Sequence, residues 1–137
     1  MKRLITNEFG TLKLYEKYVF AQMNEGITIT KDLNNILLQI ANTYYKDSPF
    51  VYITNRKNSY SVDPAIYLET SKIKNLIGFA IVSNIPLALS NVKIERMFLD
   101  KPCETFDVIS DAKQWANTLV KQHHKLKDGK PIKMASL

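Results

Sequence analysis

The spacing of apolar and polar residues changes several times along this chain, and each change marks an element. Residues 11–15, TLKLY, alternate and put Leu12 and Leu14 on one face. The run YVFAQM at 18–23 follows Glu16-Lys17, so an antiparallel hairpin is predicted here, with Asn24-Glu25-Gly26 as the turn that ends it. From Thr30 the period becomes helical. Leu33, Ile36, Leu37, Ile40, Ala41 and Tyr44 form one apolar stripe, with Thr28 or Thr30 as N-cap. Lys46-Asp47-Ser48-Pro49 ends that helix, because Pro49 cannot extend it and biases Ser48 towards extended geometry.

Two short runs, FVYIT (50–54) and LIGFAIVS (76–83), are almost wholly apolar and do not alternate. That pattern belongs to strands covered on both faces. Between them, DPAIYLETSKIKN (63–75) reads as a helix with Asp63 as cap, Pro64 as first helical residue, and Ile66, Ile73 and Leu76 inward. Pro86 opens a further helix with Ile94, Met97 and Phe98 inward, which Ser90 either interrupts or re-caps. ETFDV (104–108) reads as an edge strand. Ser110 then caps a helix whose stripe is Ala112, Trp115, Ala116, Leu119 and Val120.

The predicted order is β-β-α-β-α-β-α-β-α. Buried strands joined through helices imply parallel pairing and right-handed crossovers. The fold class is therefore α/β: one domain with a mixed five-stranded sheet, antiparallel in its amino-terminal hairpin and parallel elsewhere, and about four helices. The domain is expected over residues 1–122, followed by a basic, flexible tail at 123–137.

Composition narrows the classes. With 45% apolar and 23% charged residues in 137, the chain has the makings of an ordinary globular core. Its apolar runs fall far short of the roughly 20 residues that cross a bilayer, and MKRLITNEFG has no signal-peptide pattern. The single cysteine, Cys103, allows neither an internal disulfide nor a cysteine metal cluster. A cytoplasmic protein is expected. The formal charge is +6, of which residues 121–137 hold five lysines against Asp128. The basicity is thus concentrated in the tail, and no specific nucleic-acid partner is inferred from it.

The opening stretch NEFGTLKLYEKYVFAQMNEG, then FAIVS, then ETFDVISDAKQWA resemble the SpoIIAA-like superfamily over roughly residues 8–120. That superfamily includes STAS domains and is distantly related to CRAL-TRIO lipid carriers. The resemblance implies a SpoIIAA-like fold and a regulatory or protein-interaction role. In anti-sigma-factor antagonists, the loop after the central strand carries an Asp-Ser pair whose serine is phosphorylated. The corresponding stretch here, NRKNSYSVDP, holds Ser59 and Ser61 but no Asp-Ser pair. The phospho-switch is therefore not carried over from the family, and Ser59 and Ser61 stand as phosphorylation candidates.

This loop is the candidate site. It follows a buried parallel strand, where open α/β sheets place ligands, and leads to a helix N-terminus, which favours anions. Arg56 and Lys57 supply cations, and Ser59, Tyr60 and Ser61 supply hydroxyls. Asp63 occupies the cap and opposes a second anion. The plain alternative is a solvated strand-to-helix link. Adjacent His123 and His124 do not share a helical face, so no metal is expected. Cys103 has no activating base in the sequence, and the chain shows neither a phosphate loop nor a catalytic motif. No cofactor and no enzymatic activity are expected. The leading function is a non-enzymatic interaction module acting through this loop and the following helix on a protein partner. The alternative is a carrier or sensor of a small apolar or amphipathic ligand. Self-association, a dimer for instance, is open to it.

Overall fold

The computed structural model describes residues 3–56, 61–62 and 66–127. Its main sheet has six strands in the order β1-β2-β3-β5-β7-β8. These are β1 (Arg3–Thr6), β2 (Gly10–Leu14), β3 (Tyr18–Met23), β5 (Phe50–Asn55), β7 (Leu76–Val82) and β8 (Cys103–Phe106). The first three run antiparallel to one another. From β3 onward every neighbour is parallel. A second, two-stranded parallel ladder pairs β4 (Thr28–Ile29) with β6 (Ser61–Val62).

The α/β class, the hairpin (β2–β3) and the adjacent buried strands (β5 and β7) agree with expectation. The sheet holds six strands rather than five, because β1 adds an antiparallel margin. Three of its four residues are exposed, so no buried alternation marks it in the sequence. Strand β8 lies at the opposite margin, as expected of an edge strand.

Helices cover both faces. On one side α1 (Lys31–Gln39), α2 (Ile66–Thr70) and α3 (Pro86–Glu95) pack over Leu12, Val19, Met23, Tyr52, Phe79 and Ile81. On the other, α4 (Ile109–Lys127) lays Ala112, Ala116 and Val120 over Phe20, Val51, Ile53 and Ala80. Gly78 marks the close approach of this layer. A Cβ added there would lie 2.5 Å from Leu119 Cδ2 and 3.2 Å from the Trp115 ring. Gly10 serves differently: at φ +152° it holds a backbone conformation that side chains rarely adopt, and an added Cβ would collide with the Gln22 carbonyl oxygen on β3.

Several helical details depart from the pattern. Thr30 is the N-cap residue of α1, although its side chain makes no capping bond. After Gln39 the helix continues as a π-helical segment, Ile40–Tyr44. Its wider turn ends in a bond from Tyr45 N–H to the Ile40 carbonyl and shifts the stripe by one residue. Tyr45 is therefore buried where Tyr44 was expected, and Tyr44 is only half-buried. The Tyr45 hydroxyl lies 2.6 Å from the Tyr15 carbonyl oxygen and 2.9 Å from that of Tyr18. Its ring stacks on Phe50 at 4.3 Å.

The helix expected over 63–75 is confined, among described residues, to Ile66–Thr70. Backbone turns at Ser71, Lys72 and Ile73 close it, and Ile73 and Leu76 are buried as expected. Helix α3 starts at Pro86 and runs unbroken through Ser90. Its inward side is Val92 and Glu95, continued by Leu99; Phe98 is half-buried against the core, while Ile94 and Met97 face out. Helix α4 begins at Ile109, which places Ser110 inside the first turn, and continues past the expected boundary at Gln122 to Lys127.

Candidate functional site

Strand β5 ends at Asn55, and Arg56 adds one further rung by donating its N–H to the Val82 carbonyl at 2.9 Å. The side chain then turns inward. Its Nη1 donates to Glu95 Oε2 at 2.7 Å and its Nη2 to Glu95 Oε1 at 2.6 Å. This is the forked, two-bond geometry that suits guanidinium and carboxylate. Both side chains are over nine-tenths buried, so bulk water screens the pair little.

Tyr67 from α2 completes the arrangement. Its hydroxyl donates to Glu95 Oε1 and accepts from Arg56 Nη2 at 3.3 Å. Three elements far apart in sequence (the end of β5, α2 and the end of α3) are thus joined through one charged, hydrogen-bonded cluster. Beside it, the Thr70 hydroxyl lies 2.9 Å from Asn34 Oδ1 and ties α2 to α1. Both carboxylate oxygens of Glu95 are taken. The cluster therefore fixes the relative placement of helices.

Behind the cluster lies a cavity of about 30 Å3 between α1, α2 and the sheet. Leu33, Leu37, Ile66, Tyr52 and Phe79 line it, with Thr54, Arg56 and Thr70 as polar contributors. That space suffices for about one or two water molecules.

Sequence candidates map onto this geometry unevenly. Arg56, expected as a cation in the loop, is instead buried with its guanidinium bound to Glu95; only a buried carboxylate makes such placement tolerable. Ser61 belongs to β6, where its backbone pairs with Thr28 beside the start of α1. Lys57, Ser59, Tyr60 and Asp63 lie outside the described residues. Cys103 is half-buried on the edge strand. Burial pushes its thiol pKa above the ordinary value, opposed by the neighbouring Arg96 guanidinium. His123 and His124 lie on α4, and no group of three metal-ligating side chains occurs among the described residues.

Tyr67 and Glu95 were missed as site residues. One signal for Glu95 exists: it stands three residues after Val92 and four before Leu99, on the inward stripe of α3. A carboxylate there needs a buried cation.

No family model matches the chain, and no curated protein matches it. Among solved structures, the fold is similar to an uncharacterised protein of the DUF3478 family with a SpoIIAA-like fold from Shewanella loihica. That likeness has a TM-score of 0.52 at 14% identity and covers 83% of this chain and 90% of the other. The fold is SpoIIAA-like, as the sequence resemblance implied. No helix among the described residues is long and apolar enough to cross a membrane.

Proposed function

We propose that this chain is a non-enzymatic regulatory or protein-interaction module of the cytoplasm. Its contact surface comprises the outer sides of α2 and α3 with residues 55–63 between β5 and α2. One observation carries the reading. Large apolar side chains stand in solvent on α2, on α3 and in the turn that follows α3: Leu68 is 53% exposed, Ile94 53% and Met97 80%. Each helix is secured from beneath by Tyr67 or Glu95, so these side chains are presented on a braced platform. Apolar side chains on a fixed support, bordered by polar residues, suit a protein partner, and methionine adapts to varied contact shapes.

Capture from a lysate of the native host tests the reading. The wild-type chain is compared with a Leu68→Asp/Ile94→Asp/Met97→Asp variant of unchanged unfolding midpoint. Loss of a specifically retained protein supports the proposal; an identical retained set sinks it. Phosphorylation of Ser59 or Ser61 would add about −1.5 to −2 charge beside this surface. Intact mass across growth states measures it, and unmodified protein throughout removes that switch. The second reading, a carrier or sensor of a small apolar ligand, finds apolar walls but little room, since the cavity of about 30 Å3 is far below the few hundred Å3 of a ligand pocket. Native mass spectrometry of freshly isolated protein tests it through the mass of a retained ligand.

A further inference from the structure

The end of the sheet remote from the Arg56 cluster, where the parallel strands begin, has a distinct electrostatic character. Two open clefts of about 500 and 350 Å3 meet there at His123 on α4. Lys46, Lys72 and Lys74 line the first, and Lys74 and Lys101 the second. Lys121 follows, exposed, on the same end of α4. Against these five lysines stand Asp47, Asp100 and Glu69, the last paired with Lys72 at 3.2 Å. The excess is two positive charges. The nearby Glu16-Lys17 turn adds nothing net.

Neutralising helix dipoles accounts for only part of this excess. The carboxyl ends of the α1 extension and α4 meet here, and each contributes roughly half a negative charge. The clefts hold aliphatic as well as cationic side chains: Leu38, itself 42% exposed, borders one, while Ile77 and Leu119 border the other.

We infer that this basic end docks on an anionic lipid bilayer, with lysine ammonium groups among headgroup phosphates and their methylene stems over the aliphatic side chains. The observations favour this over nucleic acid. The cations lining the two clefts are lysines and His123, and Arg3, Arg56 and Arg96 line neither cleft. The residues lining both clefts include no phenylalanine, tyrosine or tryptophan to stack on bases.

Vesicle flotation of the full chain tests the inference, using phosphatidylcholine alone and phosphatidylcholine mixed with phosphatidylglycerol. Flotation is expected only with the anionic vesicles, and high sodium chloride should abolish it. A Lys74→Glu/Lys121→Glu variant should bind at least about tenfold more weakly, and Lys74→Gln/Lys121→Gln should fall between, both with wild-type unfolding midpoints. Absent flotation with phosphatidylglycerol, equal flotation with phosphatidylcholine alone, or unweakened binding by the charge-reversed variant overturns the inference. So does tighter retention on a DNA duplex at matched phosphate concentration, which assigns the patch to nucleic acid.

Discussion

Glu95→Gln isolates the energetic role of the buried ion pair. The substitution keeps the side chain's shape and leaves the Arg56 charge without its counter-charge in a site where both partners are about nine-tenths buried. Losing one member of such a pair costs about 3–5 kcal/mol. Because glutamine retains an acceptor for Tyr67 and for part of the guanidinium, the lower end applies, about 3 kcal/mol. Against a total stability of roughly 5–15 kcal/mol this is a large share. It corresponds to a fall in Tm of about 10 °C for a chain of this size. Replacing both partners, as Arg56→Met/Glu95→Leu, removes the uncompensated charge and should return stability to within about 1–2 kcal/mol of wild type. With the single variants Arg56→Met and Glu95→Leu completing the double-mutant cycle, the coupling should be at least about 2 kcal/mol. Urea unfolding at neutral pH, at low and at high salt, measures all five proteins. A Glu95→Gln cost below about 1 kcal/mol, or one that vanishes at high salt, would refute the reasoning, since both describe a solvent-screened pair.

Two further perturbations address the frame. Burial raises the Tyr45 pKa above the ordinary 10.0, so above about pH 10 the folded chain keeps a proton that the unfolded chain releases. Stability should therefore fall as pH rises above about 10, by up to about 1.4 kcal/mol per pH unit. Tyr45→Phe should flatten that slope in alkaline urea titrations, and an unchanged slope would count against the assignment. Gly10→Ala drives a methyl group into the β3 backbone at positive φ, whereas Gly78→Ala meets chiefly the movable end of Leu119. Thermal unfolding should show the first costing more than about 2 kcal/mol and the second about 1 or less; the reverse order would contradict the packing described.

Much of the frame was legible because both faces of β5 and β7 are covered, which writes unbroken apolar runs at Phe50–Asn55 and Leu76–Val82. Helix α4 covers its face alone and keeps a clean stripe for that reason. Legibility failed where burial and period part company. Strand β1 sits at an edge with little buried surface, so its four residues carry no pattern. In α3 apolar residues occur all round the helix, and spacing alone could not tell Val92 from Ile94. The ion pair is the deepest omission. Its partners stand 39 residues apart, and only the three-dimensional path of the chain brings them together. Arg56 was expected as a cation of a polar loop, and its loop-like neighbours give no sign that its side chain points inward.

The π-helical segment at Ile40–Tyr44 carries a bookkeeping consequence for comparing sequences. A widened turn stores one residue of surplus length without lengthening the route from Leu33 to Tyr45. A homologous chain that keeps an ordinary α-helix through this stretch would need one residue fewer to seat an aromatic ring between Phe50 and the Tyr15–Tyr18 turn. A gapless alignment of two such chains must misplace one landmark, either the leucine stripe before the turn or the tyrosine after it. The true position of the gap is then inside a helix, where alignment methods are most reluctant to put one.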